Sequence, residues 1–94
     1  MLYGAFLVKW KLVYTKDADK DARKLAAAGL KHNAEELLKI LEADPFQTPP
    51  RFEKLVGDLA GAYSRRINIR HRLVYQVLVD RHIVKIISMW SHYE

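Results

Sequence analysis

The stretch Tyr63-Ser64-Arg65-Arg66-Ile67-Asn68-Ile69-Arg70-His71-Arg72-Leu73-Val74-Tyr75-Gln76-Val77-Leu78-Val79 decides the fold. β-branched and aromatic residues dominate it, and the same texture continues from Ile83 to Trp90. Such side chains pack well on a pleated surface and favour extended backbone. The polar breaks near Ile69-Arg70 and Asp80-Arg81 are short, which makes hairpins the simplest connections. The reading is three strands, Tyr63 to Asn68, His71 to Val79 and Ile83 to Trp90, in an antiparallel meander.

Upstream the pattern turns helical. Ala18, Ala22, Leu25 and Ala26 recur at helical spacing with Lys20, Arg23 and Lys24 between them, which predicts a helix with a small-residue inner stripe. Thr15 supplies its N-cap, Asp17 and Asp19 its acidic first turn, and Gly29 the break after it. Ala34, Leu37, Leu38 and Leu41 form a second stripe, closed at Asp44 because Pro45 disfavours helix in the residue before it. Trp10 to Thr15 is a β-rich run. Phe46 to Leu59 holds Pro49, Pro50 and Gly57 and is expected to be mostly loop, with a short strand around Phe52 to Val56. The expectation is an α+β domain ordered β-α-α-β-β-β, its N-terminal strand and two-helix hairpin packed on an antiparallel sheet.

A chain of 94 residues suits one domain over residues 1–94. Half of it is apolar, enough for a real core. Lys and Arg number 16 against 11 Asp and Glu, a net charge of +5 that favours phosphate-rich or acidic partners without saying which. The lack of cysteine excludes disulfides, thiolate nucleophiles and cysteine-ligated zinc, and is compatible with a reducing cytoplasm. Met1 to Val8 is apolar but lacks a basic lead and a cleavage site, and Lys9 and Lys11 interrupt it, so it reads as neither signal peptide nor membrane span.

Between Arg51 and Arg72, the cations Arg51, Lys54, Arg65, Arg66, Arg70 and Arg72 face only Glu53 and Asp58. Guanidinium groups bind phosphate bidentately, keep their charge and stack on bases, so two strands presenting such a cluster suit RNA. A solvated edge strand whose arginines deter aggregation has the same composition, and charge alone leaves both readings open. Arg72 alternates with Leu73 and is expected to point away from Leu73, Tyr75 and Val77. An imidazole ordinarily titrates near neutrality, so His92 suits a proton donor, or is an exposed residue of a frayed tail. Glu53 suits a base, or a surface ion pair with Lys54 or Arg51. His71 reads equally as a hairpin-end residue. His32 and His82 have no metal-ligand spacing, and no metal or cofactor is expected. Trp10, Phe46 and Trp90 read as core or hydrophobic rim.

The run Ser64-Arg65-Arg66-Ile67-Asn68, continued by His71-Arg72-Leu73-Val74-Tyr75 and ending in His92-Tyr93, resembles the signature of Txe/YoeB family toxins of toxin–antitoxin modules, within the RelE/ParE superfamily. Gly61-Ala62-Tyr63 and Phe52-Glu53-Lys54-Leu55 with Leu59 extend the resemblance, which covers roughly Lys11 to Tyr93 and leaves Met1 to Val8 as an N-terminal extension. It implies a RelE-like, microbial-RNase-like fold and a ribosome-dependent messenger-RNA endonuclease. Such an enzyme uses no metal or cofactor and cuts the message in the ribosomal A site by attack of its own 2′-hydroxyl. Carried over by position, Glu53 matches the base, Arg72 the arginine that stabilises the phosphate, and His92 the acid. Arg65 and Arg66 match the flanking pair and Tyr93 the terminal aromatic, and Arg51, Lys54 and His71 stand beside them as candidate RNA contacts. The implied partners are the bacterial ribosome, its message, and a cognate antitoxin of the YefM/Axe kind with an acidic C-terminal segment. A homodimer is compatible, operator DNA enters only through the antitoxin, no membrane is involved, and the setting is the bacterial cytoplasm. The alternatives are a toxin of this fold with another target, as in ParE-like gyrase poisons, or a basic RNA-binding module without catalysis. The chain departs from the family pattern by a short insertion placed at Val79 to His82, by Trp90-Ser91 before His92, and by Glu94.

Overall fold

A computed structural model describes residues 8–92, of which 91 and 92 are described through their backbone alone. Strand β1 (Lys11–Tyr14) leads into helices α1 (Lys16–Ala27) and α2 (Lys31–Ala43), followed by β2 (Phe52–Lys54), β3 (Ala62–Arg66), β4 (His71–Leu78) and β5 (Ile83–His92). Short 3-10 turns, Gly57–Leu59 and Val79–Arg81, precede β3 and β5. Among the described residues no helix is long and apolar enough to cross a membrane.

The helix boundaries follow local chemistry. The Thr15 hydroxyl accepts from Ala18 N at 3.0 Å, the expected cap, with Asp17 and Asp19 in the first turn. Gly29, at φ 76°, takes the left-handed turn that closes α1, and Leu30 N donates back to Leu25 O at 2.8 Å. The reversal swings Leu30 onto the core and starts α2. Asp44 leaves helical geometry ahead of Pro45, and its carboxylate accepts from Phe46 N at 2.9 Å.

The sheet has five strands in the order β1-β5-β4-β3-β2. The meander of β3, β4 and β5 is antiparallel, as expected, and the short β2 joins it antiparallel to β3. β1 differs from the expectation: it pairs with β5 in parallel, Lys11 opposite Ile83 and Tyr14 opposite Ile86, so the sheet is mixed. The helix hairpin supplies the crossover that a parallel pair requires. Its buried stripe also differs. Ala18, Asp21 and Leu25 face inward, whereas Ala22 and Ala26 line an apolar cleft of about 410 Å³ between the helices. With Ala34, Leu37 and Leu41 of α2, the inward residues cover Leu73, Tyr75, Val84, Ile86 and Met89 of the sheet.

Asp21 is buried because β5 bulges. The β4–β5 register slips between Arg72 and Val74 and again between Val74 and Tyr75, leaving β5 the longer arm. Bulged backbone groups lose their ladder partners, and α1 replaces them. The Asp21 carboxylate accepts from Met89 N at 2.9 Å, and the Thr15 hydroxyl donates to Ile87 O at 2.7 Å. The first turns of α1 are thereby bonded to the centre of the last strand.

Candidate active site

Strand alternation divides the basic block between two faces. Directly opposed residues share a face, so Phe52, Arg65 and Leu73 lie on the helix side, while Glu53 with Ser64, and Arg66 with Arg72, lie on the open side. A cleft of about 280 Å³ on the open side is lined by Pro50, Arg51, Glu53, Arg66 and Arg72. Four of the expected site residues therefore meet there. Arg72 points away from Leu73, as its alternation predicted, and its side chain is only 10% exposed. Its Nη1 donates to Ser64 Oγ at 3.1 Å and lies 3.4 Å from Glu53 Oε1.

Arg66 and Arg72 are direct cross-strand partners. Like charges in that relation are destabilising, and one carboxylate, Glu53, sits among the three guanidinium groups of Arg51, Arg66 and Arg72. The cleft keeps net positive charge in a concave site, which favours an anion such as a phosphodiester.

Arg65 departs from the expected pair. It is fully buried, with no exposed surface. Its Nε donates to Tyr75 Oη at 2.9 Å, Nη1 to Pro50 O at 2.6 Å and Nη2 to Pro45 O at 3.0 Å, and its guanidinium lies 5.0 Å from the Phe52 ring centre. Once Arg66 opposes Arg72, Arg65 must share the face of Leu73 and Tyr75. There its charge is satisfied by carbonyl and hydroxyl oxygens, as a buried guanidinium requires. Tyr75 also donates to Pro45 O, at 3.0 Å, and its hydroxyl pKa is raised above 10.0 by burial, partly offset by the bond to Arg65. Arg65 is thus a clamp on the loop that leads into β2, not a surface contact for RNA. Lys54 likewise alternates away from Glu53 and does not line the cleft.

His71 is buried and stacked on Trp90, with ring centres 4.0 Å apart, in keeping with its reading as a hairpin-end residue and with Trp90 as packing. Trp10 stacks on His82 at 3.9 Å, beside the turn where His82 adopts φ 58°. The β4–β5 register places the backbone of His92 opposite His71, one position along from the Arg72–Ser91 pair. Tyr93 lies outside the described residues. Ser64, buried beneath Arg72, was not singled out from the sequence. Its signal was its parity with Glu53 and Arg72, readable only once the strand register is known. Among the described residues no group of three or more His, Asp or Glu side chains is placed to hold a metal ion.

Residues 14–93 match the model of the YoeB-like toxins of bacterial type II toxin–antitoxin systems. Toxin YoeB of Synechocystis sp. is 45% identical over 58 residues, covering 62% of this chain and 65% of that protein. Toxin RelK of Mycobacterium tuberculosis is 39% identical over 57 residues, covering 61% and 65%. The matched region thus spans a little under two thirds of these curated relatives. Among solved structures, the YoeB/ParE toxin from Agrobacterium tumefaciens superposes with a TM-score of 0.79 at 32% identity, over 88% of this chain and 99% of that one. The toxin of the YoeB–YefM complex from Staphylococcus aureus gives 0.74 at 33%, over 89% and 98%.

Proposed function

Because the chain belongs to the YoeB-like toxins of bacterial type II toxin–antitoxin systems, we propose that it is a metal-independent endoribonuclease that cuts messenger RNA in the ribosomal A site and so stops translation. The observation that carries this reading is the contact of Glu53 with Arg72 in a cationic cleft. In the proposed reaction Glu53 takes the proton of the ribose 2′-hydroxyl, and the 2′-oxygen bonds to the adjoining phosphorus. The bond from phosphorus to the 5′-oxygen breaks, His92 protonates that oxygen, and Arg72 stabilises the charge on the non-bridging oxygens. The products are a 2′,3′-cyclic phosphate and a 5′-hydroxyl. Arg51 and Arg66 hold the flanking backbone electrostatically, and Tyr93 belongs to the same RNA-facing set.

A single domain, with Met1 to Val8 as an extension, acts in the bacterial cytoplasm and is neutralised by a cognate antitoxin whose acidic segment covers the cleft. A relative occurs with its antitoxin in the YoeB–YefM complex, and the open cationic cleft of this chain fits an anionic chain that orders on binding.

The test is single-turnover cleavage of one message on programmed ribosomes. Glu53→Gln, Arg72→Ala and His92→Gln should each slow cutting by roughly 10²–10⁴-fold with ribosome binding nearly intact. Wild-type rates in all three variants refute the mechanism, and equally fast cutting of naked RNA refutes the dependence on ribosomes.

A further inference from the structure

The open face holds a buried polar side chain that the proposed chemistry does not use. Ser64 is 1% exposed, and its Oγ accepts from Arg72 Nη1 at 3.1 Å while the same nitrogen lies 3.4 Å from Glu53 Oε1. Register explains the triangle. Ser64 stands on β3 between Glu53 on β2 and Val74 on β4, and Arg72 reaches diagonally back over the hydroxyl.

An arginine that is to hold a phosphoryl oxygen faces two demands that pull apart. It must be fixed in one orientation, although a long side chain loses much rotamer freedom when fixed. It must also keep its charge for the substrate. A second carboxylate at Ser64 would orient the guanidinium but cancel its charge. An apolar residue would keep the contact of Nη1 with Glu53 but remove this neutral acceptor. A hydroxyl orients by accepting a hydrogen bond and neutralises nothing. We propose that Ser64 is a positioning residue for phosphate recognition, its hydroxyl holding the Arg72 guanidinium over the cleft beside Glu53. This rests on the ribonuclease reading and deepens it, because the hydroxyl and the base then hold the same guanidinium nitrogen in place before RNA arrives.

Ser64→Ala changes little volume, so the fold should persist, with a thermal midpoint close to wild type. Single-turnover cleavage should fall roughly 10- to 100-fold, the range for losing a hydrogen bond to a charged group, with ribosome affinity unchanged. Ser64→Thr, which retains the hydroxyl, should recover most of the rate. In an Arg72→Ala background Ser64→Ala should cost nothing more, because the hydroxyl acts through that guanidinium. A serine that merely packs would cost the same in both backgrounds, and that additivity would overturn the proposal. A second readout uses no RNA: ¹⁵N NMR of the Arg72 guanidinium should show hindered rotation in the wild type and its release in Ser64→Ala. Unchanged guanidinium signals would overturn the positioning role. Failure of the wild type to cut messages on ribosomes would overturn the ribonuclease reading, and the NMR comparison still decides the Ser64 contact.

Discussion

Replacing Arg65 tests whether the conspicuous arginine pair is one functional unit or two residues with opposite duties. Arg65→Ala removes three hydrogen bonds, to Tyr75 Oη, Pro50 O and Pro45 O, and the stacking on Phe52. Two effects oppose each other. Removing a buried charge recovers its desolvation penalty, and the oxygens left behind are neutral, so no uncompensated charge remains. Against this, the truncation opens a cavity at a fully buried site, which for large side chains costs about 2–5 kcal/mol. It also leaves the Pro50 carbonyl without its 2.6 Å donor, whereas Pro45 O keeps its bond from Tyr75. The cavity and the lost clamp dominate, for a net loss of about 3 kcal/mol. At about 4–8 °C per kcal/mol for a domain of this size, the thermal midpoint should drop by roughly 12–24 °C. Arg66→Ala, at an exposed neighbour, should stay within about 0.5 kcal/mol. Arg65→Met, which refills the volume, should fall between them. The assay is thermal unfolding by circular dichroism. A midpoint for Arg65→Ala within about 4 °C of wild type, or a larger loss for Arg66→Ala, would refute the clamp. In salt titrations of RNA binding, Arg65→Met should leave the slope unchanged, because a guanidinium that touches no phosphate releases no counterion.

Charge reversal at Arg51 and Arg66, both on the cleft, should weaken antitoxin binding at low salt, and unchanged affinity by calorimetry would remove the acidic segment from this surface. Thr15→Val keeps the shape but deletes both the cap to Ala18 and the bond to Ile87, and should cost about 1–2 kcal/mol in urea denaturation. Burial raises the pKa of Tyr75 above 10.0, and burial, then Glu42 and Asp19, raise that of Tyr14. The folded state therefore holds these protons more tightly than the unfolded chain. The contribution is complete below pH 10.0 and is lost as pH climbs from there through the folded values. Urea midpoints should fall across that window less steeply in Tyr75→Phe than in wild type, and equal slopes would contradict the buried phenol.

The strands β3 to β5, both helices and the Thr15 cap were legible because each depends on neighbours in the chain: side-chain period, a capping oxygen, a proline after Asp44. What escaped depends on register. Nothing local shows that Lys11 pairs in parallel with Ile83, or that β5 bulges at Ile87 and Met89 against α1. Arg65 and Arg66 look alike as a charged dipeptide, and only the pairing of Arg66 with Arg72 sends Arg65 inward. Glu53 and Arg72 were singled out as candidate site residues through the family signature, and the structure brings them together in one cleft. Ser64 was quoted within that signature, but its role waits on the diagonal reach of Arg72.

The place of β5 in the sheet bears on how the chain folds as it is made. β5 lies between β1 and β4, yet it is the last of the five strands to be synthesised. Until it emerges from the ribosome, β1 has no strand beside it, Thr15 and Asp21 lack their backbone partners, and the helices have little to cover. Pairing so distant in sequence must wait for the chain that supplies it. His92 arrives on that same strand. On the proposed function, the chain therefore lacks its proton donor until the last strand is made, an interval in which the proposed antitoxin has time to bind first.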